Sequence, residues 1–528
     1  MTQHASNLAA LFEQTASLHP DREAIFLSGG AVRYADLARK ARWLARTLHQ
    51  VAGDGARVAI FADRSLGSYV SVLATLYAGG TYVPVSPVYP AARNAAILAA
   101  SGAAVLVYQR SSAAALQALQ ALLAELPAGV TPIELDSLED APEEDDARPG
   151  WLPPALAAAQ AGAPPAKPAY ILFTSGSTGR PKGVPISHAS VLHYLTVLAE
   201  QFDFQATDRH TQNFELTFDL SVFDLFVPWR HGGAFCVPSA LDAATPYQYL
   251  KRHGITVWFS VPSAVQILQR NRLLKPGSFP TLRISLFCGE ALTWDAAHAW
   301  AQAAPQSVIA NLYGPTELTI SCFTYRLPSP LPAAPTGRPI VPIGQVHAGH
   351  VHLVLQEDGT PAGPGQEGEL CITGPQQFPG YLDDPAKSEA AHVLKAGADG
   401  AWRVYYRTGD LVSEDETGIV HYLGRLDHQV KVNGYRVELE EIERAIRRLP
   451  GSPNAVVRYT CNPVSTDQQR KLVAFLTGAP RDDREVLREL ARTLPHYMLP
   501  DVIVWAGETF PLNGNGKVDV NSLLATVA

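Results

Sequence analysis

The stretch Tyr170–His188 reads YILFTSGSTGRPKGVPISH. It begins with an apolar run that predicts a strand, continues with six residues drawn only from Thr, Ser and Gly, and then carries Arg180 and Lys182 beside a proline. A small-residue loop after a strand leaves its backbone N–H groups uncovered, and two nearby cations add positive charge. The stretch therefore predicts an anion-binding loop, most simply one for a polyphosphate.

This loop matches neither of two common nucleotide-binding motifs. Counted from Gly176, Pro181 stands where a Walker A loop requires its second glycine, and the GxGxxG spacing is also absent. An isolated Ser/Gly-rich loop is most often a flexible turn. The apolar strand before this loop and Lys182-Gly183 directly after it favour phosphate binding over that alternative.

The size and charge of the chain exclude several classes of protein. A length of 528 residues predicts two to four structural units, because a single hydrophobic core stops growing well below that length. The content of 47% hydrophobic and 17% charged residues is typical of a folded enzyme. A net charge of −8, without any Lys/Arg block, argues against a nucleic-acid partner. No apolar run reaches the roughly 18 residues that a membrane span requires.

The cysteines and the N-terminus indicate a cytoplasmic protein. The five cysteines are scattered and form no CxxC pair, which argues against a zinc ribbon or a disulfide framework and fits a reducing compartment. The first twenty residues have no basic region followed by an apolar core, so they predict no secretory signal.

The alternation of helical and β-rich runs predicts an α/β fold. ASNLAALFEQTASLHP and LGSYVSVLATLYAGG have apolar faces at helical spacing, the second closed by Gly79-Gly80, and ARVAIFAD is β-rich between them. Such alternation indicates layers around a largely parallel sheet. Residues 135–167 are predicted to be a mobile surface connection. Residues 349–374 predict an antiparallel β unit, and the last hundred residues a small α+β unit.

Further motifs share the order of a known family. They are YVPVSPVYPAAR, NFELTFDLSVFDLFVPW, NLYGPTELTI, GELCITGPQQFPGYLDDP, YRTGDL, GRLDHQVKVNGYRVELEEIE, LPHYMLP and PLNGNGKVD. Together with the loop at Thr174 they resemble the adenylate-forming ligases, which include nonribosomal peptide synthetase adenylation domains and acyl-CoA synthetases. The first motif departs from the family in having Ser86 where an aspartate is usual.

The resemblance implies that the chain binds ATP and Mg²⁺. Tyr313 would stack on the adenine and Asn311 would bind its edge, while Asp410 would accept the ribose hydroxyls. Glu317, a carboxylate near phosphates, is repulsive unless a cation lies between them, and the resemblance makes that cation Mg²⁺. The other residues implied at the nucleotide are Thr174 (also catalytic), Ser175, Gly176, Ser177, Thr178, Gly179, Lys182, Gly314, Thr316, Tyr422 and Arg425.

A catalytic lysine and a hinge are implied as well. Lys517, exposed by the turn between Gly514 and Gly516, is by resemblance the lysine that enters the active site during adenylation. A carboxylate and a phosphate about 4 Å apart repel by roughly 4 kcal/mol, and a bridging cation offsets that cost. The resemblance implies a large domain, residues 1–426, and a small mobile domain, residues 427–528, with the hinge at Asp427. In a second orientation residues 431–434 replace Lys517.

The substrate is predicted from Asp219 and the motif positions around it. In the amino-acid-activating branch of the family, an aspartate here pairs with the substrate ammonium, whereas aryl-acid ligases typically carry asparagine. The rest of the implied pocket is Leu220, Phe223, Phe259, Leu286, Cys288, Leu312, Ile320 and Ser321. This apolar lining favours a compact hydrophobic substrate and most resembles freestanding prolyl-adenylating ligases of pyrrole pathways. Proline is the first candidate, and small aliphatic or β-amino acids are the alternatives.

The predicted acyl acceptor lies on another protein. The sequence ends eleven residues after Lys517 and has no LGGxS-like phosphopantetheine site. We therefore expect a separate carrier protein with a phosphopantetheine thiol as partner, and neither a nucleic acid nor a membrane. Two alternatives are an acyl-CoA ligase that uses free coenzyme A and a non-catalytic nucleotide-binding protein. Asp219 speaks against the first, and the presence of Lys517, Asp410 and Glu317 against the second.

Overall fold

The computed structural model describes residues 5–110, 113–135, 151–165, 167–176, 181–239, 242, 245–451, 454–461, 470–514 and 517–525. They form a mixed α/β fold with a large N-terminal domain and a smaller C-terminal domain. Within those ranges no helix combines the length and the apolar character needed to cross a membrane.

The first sheet of the large domain contains the strand that begins the quoted stretch. Its strand order is Thr131–Glu134, Val105–Tyr108, Arg57–Phe61, Thr81–Val85, Tyr170–Thr174 and Lys182–Ile186. The first five strands are parallel and the last is antiparallel. Thr174 pairs with Lys182, so the predicted loop joins two neighbouring antiparallel strands.

The second sheet has nine strands and a parallel centre. Their order is Gln345–Val346, Phe323–Arg326, Val308–Tyr313, Ile284–Phe287, Val257–Ser260, Arg209–Thr211, Ala234–Cys236, Glu23–Leu27 and Gly30–Arg33. Six strands, from Val308–Tyr313 to Glu23–Leu27, run parallel, and antiparallel strands complete both edges. The two sheets confirm the predicted parallel α/β core.

Helices pack on these two sheets. They are Leu8–Leu18, Tyr34–Ala52, Leu66–Tyr77, Ala91–Ser101, Ala113–Ala124, Pro154–Gln160, His188–Gln201, Leu220–His231, Pro246–His253, Pro262–Arg270 and Trp294–Ala303. The first begins where the Asn7 side chain accepts a hydrogen bond from the Ala10 N–H at 2.8 Å, a standard N-cap. The third ends at Tyr77 and has Ala78 as its C-cap, just before the glycine pair expected to close it.

One part of the predicted mobile connection is helical, and there the prediction is wrong. Pro154–Gln160 is a helix whose Ala155 and Leu156 are buried. The Asn7 side-chain amide donates to the Ala155 carbonyl at 2.9 Å, which ties this helix to the N-terminus of the helix Leu8–Leu18. A proline at the first helical position and apolar contacts outweigh the loop-like composition. Residues 136–150 and 166 lie outside the described ranges.

The predicted antiparallel β unit and small α+β unit are both confirmed. The β unit contains Val351–Leu355, Glu367–Thr373, His392–Ala396, Trp402–Glu414 and Val420–Arg425, all antiparallel, with the short helix Pro385–Ala390. The small domain contains the pair Gln429–Val432 and Tyr435–Glu438, the sheet Ala455–Cys461, Arg470–Leu476 and Val502–Trp505, and the helices Leu439–Arg447, Asp483–Leu490 and Val520–Ala525. Two 3₁₀ turns, Thr316–Leu318 and His496–Met498, complete the elements.

A tight turn of the small domain contacts the large one. The Gly434 N–H donates to a Glu290 carboxylate oxygen at 2.7 Å. A β-carbon at Gly434 would lie 2.5 Å from the Val261 side chain, and the residue has φ of +85°, so only glycine fits this contact without a shift. Next to it, Tyr435 packs edge-on against Phe218 with ring centroids 5.6 Å apart. These contacts hold the strand pair that begins at Gln429 over the ends of the large-domain strands.

Candidate active site

A cavity of about 80 Å³ lies between the two domains, where the strand Tyr170–Thr174 ends. The large domain lines it with Tyr89, Leu172, Phe173, Thr174, Ser175, Thr217, Phe218, Asp219, Leu220, Cys288, Gly289, Gly314, Pro315, Thr316, Ile320, Asp410 and Arg425. The small domain lines it with Gln429, Val430, Lys431, Gly434, Tyr435, Arg436 and Tyr497. Residues far apart in sequence thus meet at the strand ends, where open α/β sheets usually bind ligands.

The first element of the site is the predicted anion-binding loop. Thr174 and Ser175 line the cavity, and Lys182 lies opposite Thr174 on the return strand. Lys182 is buried, and burial together with the nearby Arg436 lowers its pKa to about 8, although Glu317 favours its charge. The predicted phosphate-binding residues Ser177, Thr178 and Gly179 lie outside the described residues.

Glu317 is a fully buried carboxylate surrounded by donors. Arg436 contacts both of its oxygens at 2.8 and 3.0 Å, Tyr381 donates a hydrogen bond at 2.7 Å, and Lys182 Nζ lies 3.4 Å away. Burial opposes ionisation, but Arg436 and Lys182 hold the pKa of Glu317 well below its usual range. Its turn follows Gly314, where a β-carbon would lie 2.6 Å from the Ser321 Cα, so the backbone path depends on glycine.

The predicted ribose and adenine residues are next to each other. The Tyr313 hydroxyl donates to Asp410, and Arg425 contacts the other Asp410 oxygen at 2.8 Å. Arg425 also forms a two-point contact with Asp427, at 2.6 and 2.7 Å, just before the small domain begins. Tyr422, half-buried, lies on the same strand as Arg425.

Asn311 presents an unused hydrogen-bond acceptor. Its amide nitrogen donates to the Pro342 carbonyl at 2.9 Å, whereas its side-chain oxygen is buried with no partner among the described residues. A buried acceptor without a donor is costly, so this oxygen fits the amino group of a purine edge. The observation supports the role that the resemblance implies for Asn311.

Asp219 is the buried carboxylate of the substrate side. It lies at the N-cap position of the helix Leu220–His231 and lines the cavity with Leu220, Cys288 and Ile320. Burial raises the pKa of Asp219 to about 6, while Thr316 and the nearby Lys431 lower it. A buried carboxylate that is only partly stabilised by its surroundings favours a cationic partner such as an ammonium group.

This pKa predicts a pH dependence for substrate binding. If the ionised Asp219 carboxylate binds the substrate ammonium, KM for the amino acid should be constant above about pH 7 and rise about tenfold per pH unit below pH 6. The measurement is KM from amino-acid-dependent pyrophosphate exchange between pH 5 and 8. The Asp219→Asn variant is the control, because its residual KM should lack this rise. A wild-type KM unchanged from pH 7 to 5 would contradict the assignment.

The remaining predicted pocket residues are buried but do not line the cavity. Phe223 and Phe259 have ring centroids 4.4 Å apart, and Leu286, Leu312 and Ser321 are buried too. All but Ser321 belong to the same hydrophobic cluster as Leu220, Cys288 and Ile320. Of the predicted apolar pocket residues, only these last three therefore line the cavity in this structure.

The two predicted lysines are not brought to the same place. Lys517 is exposed, its N–H donates to the Asn513 side chain at 3.0 Å, and it does not line the cavity. Lys431 lines the cavity, close enough to Asp219 and Cys288 to affect their pKa values. In this structure Lys431, which the resemblance assigns to the second orientation, therefore lines the cavity, and Lys517 does not.

Sequence reasoning missed several residues of the domain contact. Arg436 contacts Glu317, Glu441 contacts Arg93 at 2.6 Å, and Glu290 receives the Gly434 N–H. The signal was present in the segment VNGYRVELEEIE, where an arginine and a glutamate interrupt apolar positions. Their partners, however, are separated from them by more than a hundred residues, so periodicity alone gives no pairing.

A metal site would depend on substrate oxygens as well as on the protein. Across the described ranges, no group of three or more His, Cys, Asp or Glu side chains is arranged to hold a metal ion. One carboxylate plus phosphate oxygens and water is, however, a usual environment for Mg²⁺. Glu317 fits that environment, because its buried carboxylate already contacts two cationic side chains in this structure, Arg436 and Lys182.

Comparison with known proteins shows which families the chain resembles. The profile of the AMP-binding enzyme family matches residues 12–382. The chain is 32% identical over 539 residues to tyrocidine synthase 3 from Brevibacillus parabrevis. The match covers 98% of this chain and 8% of that protein, so this chain spans less than a tenth of that relative's length.

Two solved structures share the fold over nearly the whole chain. One is the Vibrio cholerae adenylation domain AlmE in complex with glycyl-adenosine-5'-phosphate, with a TM-score of 0.83, 28% identity and coverage of 98% and 97%. The other is holo-PA1221, an NRPS protein containing adenylation and PCP domains bound to a vinylsulfonamide inhibitor. It has a TM-score of 0.80, 27% identity and coverage of 99% of this chain and 84% of that one.

Proposed function

The chain belongs to the AMP-binding enzyme family, and we propose that it activates an amino acid with ATP and transfers it to a carrier protein. In the first step the substrate carboxylate attacks the α-phosphorus, the bond to the bridging oxygen breaks, and pyrophosphate leaves. In the second step a phosphopantetheine thiol of a separate carrier attacks the carbonyl carbon of the aminoacyl adenylate. The thiol proton goes to solvent, AMP leaves, and an aminoacyl thioester remains.

The observation that carries this proposal is the position of Asp219. Its buried carboxylate opens onto the same cavity as Thr174 and Ser175 of the predicted phosphate loop and Asp410 of the ribose site. An ammonium at Asp219 would orient the substrate carboxylate toward the nucleotide residues. Bringing the two reacting groups together in one geometry is itself a large part of catalysis.

Two of the predicted nucleotide residues support the use of ATP. The side-chain oxygen of Asn311, which is buried without a partner among the described residues, fits an adenine edge. Asp410 lines the cavity, where its carboxylate would accept the ribose hydroxyls. Glu317 would hold Mg²⁺, which when bound would neutralise part of the charge on the phosphate oxygens. Lys182, buried beside Glu317, adds a second positive group near the loop.

The proposed substrate is a compact amino acid. Proline is the first candidate, and small aliphatic or β-amino acids are the alternatives. The apolar side chains of Leu220, Cys288 and Ile320 in the cavity lining support a compact hydrophobic side chain. An unpaired polar side chain against that apolar lining would cost about 1–3 kcal/mol, which disfavours polar substrates.

A second cavity supports the proposed thiol acceptor. It has a volume of about 380 Å³ and shares Phe218 and Tyr435 with the first cavity. Trp258 and Ile267 of the large domain and Asn433 of the small domain also line it. A thin flexible arm could pass through this cavity to the carbonyl carbon, and its mixed apolar lining suits the pantetheine group.

Pyrophosphate exchange across the proteinogenic amino acids and several β-amino acids tests the proposal. We expect exchange above background with a compact amino acid, with proline first, and background exchange with Asp, Lys and Phe. The adenylated amino acid is then offered to a set of phosphopantetheinylated carrier proteins and to free coenzyme A, and thioester is measured. Faster transfer to coenzyme A than to every carrier would favour the acyl-CoA ligase alternative. An absence of exchange with every acid would refute the proposed function.

A further inference from the structure

Gln376 is a buried glutamine whose side chain bonds to a turn that is distant in sequence. It belongs to the motif GELCITGPQQFPGYLDDP and is 0% exposed. Its amide nitrogen donates to three main-chain carbonyls, those of Leu318 at 3.1 Å, Thr319 at 3.0 Å and Ser321 at 2.8 Å. The Thr319 hydroxyl donates in return to the Gln376 carbonyl at 2.8 Å. One side chain thus contacts three carbonyls of the turn 318–321.

The backbone of the turn 318–321 has an unusual conformation. Thr319 and Ile320 have φ values of +56° and +72°, in the left-handed region. β-Branched residues such as these two are rarely found there, because the branched side chain crowds the backbone. Such a conformation persists only where the surrounding structure holds it. The bonds from Gln376 lie on both sides of Ile320, so this one side chain spans the disfavoured pair.

The same turn carries part of the cavity lining on the substrate side. Ile320 lines the cavity together with Asp219. The Cys288 thiol, also in the lining, lies 4.0 Å from the Ile320 carbonyl oxygen. Gln376 is not among the lining residues. It can therefore affect a bound substrate only through the turn to which it is bonded.

We propose that Gln376 is a positioning residue for substrate selection: it holds the turn 318–321 in the left-handed conformation and so fixes Ile320 in the lining beside Asp219. The inference rests on the proposed function, because it concerns the cavity in which the amino acid would bind. Without the three hydrogen bonds the turn relaxes toward an ordinary backbone conformation, and Ile320 moves. A lining that is no longer held in place binds its own substrate less tightly and discriminates less between side chains of different size.

Two substitutions separate this role from simple filling of space. Gln376→Met keeps a side chain of similar length but removes the donor, so the three carbonyls lose this partner. Gln376→Glu keeps the shape more closely but places a carboxylate oxygen where three carbonyl oxygens converge, and a carboxylate only accepts hydrogen bonds. If the side chain only filled space, glutamate would be the milder change. The proposed role requires the opposite order, with glutamate the more damaging.

The test is pyrophosphate exchange with proline and with leucine at saturating MgATP; if the wild type prefers another compact amino acid, that one replaces proline. Gln376→Met should raise KM for proline about tenfold, the effect of losing about one hydrogen bond, with a smaller change in kcat. The ratio of kcat/KM for proline to that for leucine should fall, and it should fall further in Gln376→Glu. The Kd for ATP should stay unchanged, because the Phe378 N–H, and not Gln376, donates to the Glu317 carbonyl at 2.9 Å.

Gln377→Met is the matched control, since it makes the same change at the next residue, which is half-buried, and it should alter neither KM nor the ratio. Thr319→Val removes only the hydroxyl that donates to the Gln376 carbonyl, and it should shift both quantities in the same direction by less. Wild-type KM and ratio in Gln376→Met, or in Thr319→Val if Gln376→Met does not fold, would overturn the inference. An absence of exchange in the wild type would instead contradict the proposed function, and the inference with it.

Discussion

Replacing Lys517 by alanine is expected to lower amino-acid-dependent pyrophosphate exchange by about 100-fold or more, while ATP binding remains measurable. The carboxylate and the α-phosphate are both anionic, and at about 4 Å their repulsion is roughly 4 kcal/mol. A lysine ammonium that bridges them stabilises the transition state more than the separate ground states. Removing a single group of this kind typically costs about 100- to 1000-fold in rate.

In this structure Lys517 is exposed and does not line the cavity, so the prediction requires a movement of the lysine. It can act only if the small domain changes its orientation. Lys471→Ala is a suitable control, since this lysine belongs to the strand Arg470–Leu476 of the same domain and lines neither cavity. Lys471→Ala should keep wild-type exchange activity. If Lys517→Ala kept it as well, the catalytic role assigned to Lys517 would be wrong.

Replacing Asp219 by asparagine should reduce kcat/KM for the amino acid by about 100- to 5000-fold. Asparagine keeps the shape but removes the charge, so the substrate ammonium would be buried without a counterion. Breaking a buried ion pair on one side costs about 3–5 kcal/mol. The measurement is pyrophosphate exchange as a function of amino-acid concentration, with the Kd for ATP as the internal control because ATP does not depend on this carboxylate.

Two further results would sharpen this test. Asp203→Asn, which removes an exposed carboxylate, should leave kcat/KM unchanged. The Asp219→Asn variant should also lose its preference for amino acids over similar acids that lack the amino group. An Asp219→Asn enzyme with a wild-type kcat/KM would show that the ammonium binds elsewhere.

The orientation of the small domain in this structure explains how the buried Glu317 carboxylate is neutralised. Sequence reasoning identified this residue as a carboxylate that needs a cation, and in the structure Arg436 and Lys182 supply positive charge. The need for a counterion follows from burial of the carboxylate and does not depend on which cation is present. A metal role for Glu317 and a pairing with Arg436 are therefore compatible if they belong to different orientations of the small domain.

The fold class and most of the local elements could be predicted from the order of the residues alone. Apolar residues at helical spacing indicated the helices, and β-rich runs indicated the strands. Both patterns can be recognised locally, because the residues that form one buried face of a helix or strand lie close together in the chain. The sequence also indicated the loop at Thr174 and the carboxylates Asp219, Glu317 and Asp410, because each lies in a local motif. The loop-like composition of residues 135–167 led to the wrong prediction of a mobile connection at Pro154–Gln160. This segment is a helix that contacts the N-terminus of the helix Leu8–Leu18, which is distant in sequence.

Which of these residues contact one another became known from the packing of the folded chain. Arg436 and Glu317 are 119 residues apart, Glu441 and Arg93 are 348 apart, and no periodicity in the sequence connects them. The packing also decided that Lys431, and not Lys517, lines the cavity in this orientation. The physical reason is that the side-chain pattern determines local structure, whereas the pairing of these buried charges depends on how the large and the small domain pack against each other.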